Sequence, residues 1–211
     1  MSVPADVTWF GDRAVLVSSA DRDSGVSLAR TLSAAFPELV VRQGMRSVLV
    51  EAPAPSAGIR DLVLDVVRTA AGQPDSPNVD SRVVDVVLRY DGPDLASAAN
   101  ALGLTPDELA ARHSAQPWRV AMMGFAPGFG YLVPEGEWCI DWSALTRRRE
   151  PRAEVPRGSV AIAAGMSAIY PARMPGGWHL IGHTDAEVFN ADRRTPALLA
   201  PDDIVRFRVD A

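Results

Sequence analysis

Gly124-Phe125-Ala126-Pro127-Gly128-Phe129-Gly130-Tyr131-Leu132 decides how the C-terminal part of this 211-residue chain is read. Pro127 removes a backbone donor, and the three glycines admit dihedrals closed to other residues, so neither an ordinary helix nor a central strand is expected there. The pattern recurs in Tyr170-Pro171-Ala172-Arg173-Met174-Pro175-Gly176-Gly177-Trp178-His179-Leu180-Ile181-Gly182. Both segments are expected to be shaped loops presenting aromatic faces and open backbone amides, the material of a binding surface. Around them, Arg119 to Met123, Val160 to Ala163, Trp178 to His183 and Ile204 to Val209 read as short strands punctuated by proline and glycine. Many short strands with such turns predict a small barrel.

The N-terminal part reads differently. Val7 to Ser18 is apolar enough for a strand pair or one long strand. Ser24 to Phe36 places Val26, Leu28, Ala29, Leu32 and Phe36 on one helical face, with Ser24 as a cap and Pro37 as the stop. Leu39 to Arg42 and Ser47 to Glu51 form a short pair, and Ala57 to Ala71 a second helix. Gly72 to Ser81 is the best linker, and Val83 to Tyr90 either completes the first sheet or opens the next domain. The β-α-β-β-α-β order is that of a ferredoxin-like fold. An α+β chain follows, with a ferredoxin-like domain over residues 1–80 and a β-barrel domain over 81–211. Asp94 to Leu102 and Thr105 to Ser114 read as short helices, the second opened by Thr105-Pro106-Asp107-Glu108.

Composition narrows the function. Net charge is −5, against a general nucleic-acid or membrane-surface binder, and no apolar run approaches the roughly 20 residues that span a bilayer. The start lacks the basic and apolar regions of a secretory signal, and the single cysteine, Cys139, excludes an internal disulfide, so the cytoplasm is the expected location. Cys139, beside Trp138 and Ile140, reads as buried filler. All 21 basic residues are arginine. Without lysine there is no Schiff base, no covalent biotin and no phosphate-loop lysine.

The two loops, with the stretch between them, resemble the family called allophanate hydrolase subunit 1, or the B-type subunit of 5-oxoprolinase. The resemblance rests on Gly124 to Leu132, on Pro151-Arg152 leading into Val155-Pro156-Arg157-Gly158-Ser159-Val160-Ala161-Ile162, on Tyr170-Pro171 and on Pro175 to Trp178. It extends to Phe10-Gly11-Asp12-Arg13-Ala14 and Gly92-Pro93-Asp94-Leu95, and so covers essentially the whole chain. It implies a cyclophilin-like barrel and a subunit that pairs with a larger protein of the allophanate hydrolase subunit 2 type, the C-type subunit of 5-oxoprolinase. A third subunit would complete an enzyme cleaving 5-oxoproline to glutamate with ATP. Two other roles travel with the family: inhibition of a histidine kinase, and a carboxyltransferase-related part in urea breakdown.

Candidate site residues follow. Phe125, Phe129 and Tyr131, around Pro127 and Gly128, either stack on a ligand or partner or cap the barrel core. Tyr170, Pro175, Gly176, Gly177 and Trp178 supply the second loop. His179 is expected to hydrogen-bond rather than act as acid or base, and His183 is the candidate general base. In a strand these two histidines stand about 13 Å apart, too far for one metal. Within the run Arg147, Arg148, Arg149, Arg152, Arg157, the two inside the matched motif, Arg152 and Arg157, are expected to meet an anionic group of substrate, nucleotide or partner. Ser159 lacks the Gly-x-Ser-x-Gly setting of a hydrolase nucleophile.

Overall fold

The computed structural model describes residues 6–70, 81–136 and 140–210, in two compact units, Met1–Val79 and Asp80–Ala211. Apart from Ser81, the expected linker lies outside the described residues, as does Cys139. No described helix is long and apolar enough to cross a membrane.

In the first unit, β1 (Val7–Trp9) and β2 (Ala14–Ser18) form a hairpin turned through Gly11, at φ 78°, a left-handed value that glycine adopts without strain. Then come α1 (Arg22–Ala35), the hairpin of β3 (Val40–Gln43) and β4 (Ser47–Glu51), and α2 (Ile59–Ala70). The cap of α1 is Asp21, whose carboxylate accepts the Ser24 N–H at 2.8 Å, so the helix begins two residues before the expected Ser24. The sheet is antiparallel in the order β1-β2-β4-β3. Val15, Val17, Val48 and Val50 alternate inward against Leu32 of α1 and Val63 of α2. The element order here is β-β-α-β-β-α, not the expected β-α-β-β-α-β. Because Val7 to Ser18 folds as a hairpin, its first strand occupies the sheet edge that a strand after α2 would have taken.

That later strand, β5 (Val83–Leu88), belongs to the second unit. It is followed by α3 (Leu95–Ala101), α4 (Pro106–Ala115), β6 (Trp118–Met123), β7 (Gly130–Pro134), β8 (Arg152–Val155), β9 (Ser159–Ala163), β10 (Met166–Ile169), β11 (Met174–Gly176), β12 (His179–His183) and β13 (Ile204–Val209). Seven of these strands form one sheet in the order β12-β9-β10-β7-β6-β13-β5. Its two ends meet: just past β5, Arg89 N–H donates to the His183 carbonyl at 2.9 Å and His183 N–H returns to Arg89 at 2.8 Å. Gly92 N–H to Ile181 and Asp94 N–H to Leu180 continue the seam, so the sheet is a nearly closed barrel. At the seam the backbones leave no room for a side chain. A Cβ on Gly92 would stand 2.5 Å from Gly182 N, and one on Gly182 would stand 2.8 Å from Leu88 Cδ1.

The barrel interior takes Val84, Val86 and Leu88 from β5, Trp118 and Val120 from β6 and Phe207 from β13, with Ala98, Ala99 and Leu109 from the helices. α4 carries both halves of a capping box between Thr105 and Glu108. Its His113 is fully buried, stacked on Phe207 with centroids 4.7 Å apart. The ring's nitrogens meet the Tyr90 hydroxyl at 2.8 Å and Ser167 Oγ at 3.0 Å, which a neutral imidazole with one donor and one acceptor satisfies.

Burial pushes the His113 pKa down to about 3. The unfolded ring protonates near 6.5 while the folded ring stays neutral, so its contribution is fully present above pH 6.5 and lost as pH falls from there toward 3. Stability is expected to drop by up to about 1.4 kcal/mol per pH unit in that window. Denaturation of His113→Gln should show a flatter dependence, and ring 15N shifts of the unaltered chain at about pH 5, inside that window, should report a neutral imidazole. Equal slopes together with a protonated ring would refute this account.

Candidate functional site

The first loop is built from two successive tight turns. Gly124 N–H bonds the Phe129 carbonyl at 3.1 Å, closing the hairpin between β6 and β7. Inside it, Ala126 N–H donates to the Gly124 carbonyl at 2.8 Å with Phe125 at φ 67°, a positive-φ γ-turn of the rare, strained kind. Phe129 N–H then bonds the Ala126 carbonyl at 3.0 Å across Pro127 and Gly128, the latter at φ 80°, as a type II turn requires. A Cβ at Gly128 would also strike Phe189 Cβ at 2.5 Å. The segment is not loop throughout. Gly130 to Leu132 lie in β7, in the middle of the barrel sheet, where Gly130 packs beside Leu199 and Met123.

The two glycine-rich segments converge. Phe129 makes edge contacts with Phe125 (5.3 Å between centroids), Tyr131 (5.0 Å), Tyr170 (5.4 Å) and Trp178 (6.2 Å), and Tyr131 also meets Trp178 at 5.9 Å. These rings serve two different purposes. Phe129, Tyr170 and Trp178 are 2%, 2% and 5% exposed and form a second core with Val155, Ala161 and Leu180, outside the barrel lumen. Phe125 is 62% exposed and Tyr131 half-buried, so these two and Pro127 make the accessible part. Gly176, in β11 with Pro175, lets the Tyr170 ring lie against the backbone: a Cβ there would stand 2.8 Å from Tyr170 Cζ. Burial raises the Tyr170 pKa, with the Arg147 guanidinium pulling against it.

His183 stands apart from these rings, at the far end of β12 and about 13 Å along the strand from His179. Arg89 Nη2, which can only donate, reaches its Nδ1 at 3.1 Å, and the Arg157 carbonyl, which can only accept, lies 3.2 Å from its Nε2. The ring is therefore the neutral Nε2–H tautomer with both nitrogens engaged, and it braces the barrel seam. His179 Nε2 meets the Thr146 carbonyl at 3.0 Å. No group of three potential metal ligands occurs among the described residues.

The arginine run is sorted by its partners. Asp94, 4% exposed, receives both arms of Arg152 (2.8 Å each), Arg148 Nη1 at 2.7 Å and the Leu180 N–H at 2.8 Å. The carboxylate that Arg152 meets is thus the chain's own. Burial by itself raises the pKa of Asp94, but the Arg152 fork, the Leu180 amide and the two guanidinium charges outweigh it and hold the carboxyl below its ordinary range. Arg157 pairs with Glu187 at 3.5 Å. Arg148, which as part of a surface charge run would be solvated, instead joins Arg152 on Asp94. Asp94 is the residue that sequence reasoning missed. Its only signal was its place in the Gly92 to Leu95 motif.

Residues 5–199 match the family described as carboxyltransferase domain, subdomain C and D. The chain is 41% identical over 133 residues to the B-type subunit of 5-oxoprolinase from Escherichia coli O157:H7, covering 61% of this chain and 58% of that one. It is 34% identical over 177 residues to the same 5-oxoprolinase subunit of Bacillus subtilis, covering 82% of this chain and 72% of that one. The crystal structure of TTHA0988 superposes with a TM-score of 0.75 at 33% identity, over 94% of this chain and 40% of that chain. Urea amidolyase of K. lactis, 18% identical with a TM-score of 0.76 over 98% of this chain and 15% of its own, shares the fold alone.

Proposed function

The chain belongs to the carboxyltransferase subdomain C and D family, and on that premise we propose that it is one subunit of a heteromeric enzyme that hydrolyses 5-oxoproline to glutamate. The observation that carries this reading is the similarity to two proteins named as the B-type subunit of 5-oxoprolinase, one of them matched over 72% of its length. The site agrees with a role that is incomplete alone. Its histidine best placed by sequence for base catalysis, His183, has both ring nitrogens occupied, and Ser159 is buried in β9. The remaining catalytic groups then come from a larger partner, the C-type subunit, and a third subunit.

ATP, which the assembled enzyme would consume, does not fit the described residues of this chain. No run of glycines opens onto any of the four described α-helices, and Arg148, Arg152 and Arg157 are engaged by Asp94 and Glu187. Both points support placing ATP on the other subunits.

Co-expression with the larger C-type partner should yield a stable heteromer. ATP-dependent conversion of 5-oxoproline to glutamate, followed by glutamate release, should appear only when all subunits are combined. Turnover at full rate by this chain alone, or a complete mixture that leaves 5-oxoproline untouched, would overturn the reading.

A further inference from the structure

β5 ends the barrel sheet, and only part of its outer edge is closed. The Ile204 N–H donates to the Arg82 carbonyl at 2.8 Å and the Asp210 N–H to the Leu88 carbonyl at 3.0 Å, which fixes the parallel ladder between β5 and β13. In such a ladder alternate residues of a strand turn both backbone groups to the same side. Val84, Val86 and Leu88 therefore bond β13, while Val83, Asp85 and Val87 turn their N–H and C=O groups the other way. Arg89, the next in that series, pairs with His183 at the seam. For the backbone groups of Val83, Asp85 and Val87 no partner occurs among the described residues.

A bare edge of this kind is a template for another strand, and folded chains commonly blunt one with lysine, proline or a bulge. β5 has none of these: it reads Val-Val-Asp-Val-Val-Leu, and its register with β13 runs unbroken from Val83 to Leu88. The side chains of the same three residues point outward, and Val83 and Val87 are 49% and 53% exposed. Asp85 is the one charge on this strand, and it is matched within the chain. Arg206 holds both its oxygens, at 3.0 and 3.1 Å, and Arg208 Nε reaches it at 3.0 Å.

The occupant follows from the symmetry of the edge. Valines stand two residues to either side of Asp85, so a second β5 laid antiparallel about a two-fold axis at Asp85 sets Val83 opposite the other copy's Val87. In that register every open N–H meets an open C=O, and each exposed valine is covered by another. The two Asp85 carboxylates face each other, but each is already matched by Arg206 and Arg208, so no bare like charges meet. We propose that β5 joins two copies of this chain edge to edge, making one continuous sheet through both barrels. Self-association of this kind is independent of the 5-oxoprolinase reading and needs no substrate.

Sedimentation equilibrium of the purified full chain should show a monomer–dimer equilibrium. Val83→Lys/Val87→Lys, which sets lysine opposite lysine twice, should weaken it roughly tenfold or more, since directly opposed like charges replace two apolar pairs. Val83→Glu/Val87→Lys alters the same positions but sets glutamate opposite lysine, and should keep most of the dimer. Amide exchange supplies a second readout. In the dimer Val83, Asp85 and Val87 should exchange slowly, and on dilution these three should speed up while Val84 and Val86, held by β13, stay protected and report an intact barrel. A chain that is monomeric at every concentration overturns the proposal. So does a dimer that both double variants leave unchanged, or one that both abolish equally. Slowing of the three amides only when the C-type partner is added would likewise overturn it, and would give the edge to a strand of that subunit.

Discussion

Asp94→Ala should lower the unfolding free energy of the barrel unit by about 3 kcal/mol, because it leaves two guanidinium groups facing a buried site without their carboxylate. The value falls at the low end for a broken buried ion pair because Arg152 and Arg148 keep side-chain exposures of 25% and 31%, and water replaces part of what they lose. Three elements loosen together: the start of α3, the arginine segment leading into β8 and the first residues of β12, all joined by this one carboxylate. Asp94→Asn keeps an acceptor for the Leu180 amide and should lose less. Acid should mimic the alanine variant. The Asp94 pKa is held below its ordinary range, so its contribution is present above the unfolded carboxylate value near 3.8 and lost as pH falls through the folded one. Urea denaturation at neutral pH decides the matter, and a change under about 0.5 kcal/mol, the range of an ordinary surface substitution, would remove Asp94 from its central place.

Gly182→Ala should be more damaging still. The added methyl would overlap the Arg89 carbonyl oxygen and lie 3.1 Å from the Arg89 carbonyl carbon, and these are backbone atoms that cannot swing aside. Relief requires the strand ends to part, which breaks the reciprocal Arg89–His183 bonds and strains those of Gly92 and Asp94. Overpacking at about 1–3 kcal/mol and several hydrogen bonds at about 1 kcal/mol each together reach about 4 kcal/mol or more. Gly177→Ala is the matched control, since its methyl would meet only Pro151 at an ordinary 3.6 Å. Soluble yield and amide exchange at Arg89 and His183 report the outcome. Equal protection in the two variants would mean that the seam is softer than its geometry.

How much of this the sequence disclosed depended on whether the signal was local. The Thr105-Pro106-Asp107-Glu108 cap and the strand Ile204–Val209 could be read directly, because a capping box and an alternation of apolar residues with arginine carry their own instructions. The N-terminal hairpin resists such a reading because one glycine, Gly11, decides between a long strand and two short ones. β7 is hidden by Gly130, which looks like a loop residue until its pairing with Met123 in the middle of the sheet is seen. The barrel expectation brought Phe125, Tyr131, Tyr170, Trp178 and His183 to one concavity; the four rings do meet, but His183 stands apart on Arg89 and Arg157, and the burial of three of the five clustered rings was not legible. The arginines were least legible: which of several identical side chains meets a carboxylate depends on Asp94, more than fifty residues away in sequence.

The placement of β13 between β6 and β5 governs the order in which the barrel can be made. β5 pairs along its whole length, in parallel, with β13, and the Asp85–Arg206 contact joins residues separated by 121 positions. During synthesis, Val83 to Leu88 therefore leaves the ribosome long before its neighbour exists. Val84, Val86 and Leu88 must wait beside unpaired backbone groups while every other strand of the barrel emerges. The first unit, with its hairpins of short span, has no such delay and can fold while the barrel is still open. Cells making this protein at high rate would thus accumulate nascent chains with a finished N-terminal unit and a bare valine-rich strand, a species that chaperones bind and that aggregates when they are scarce.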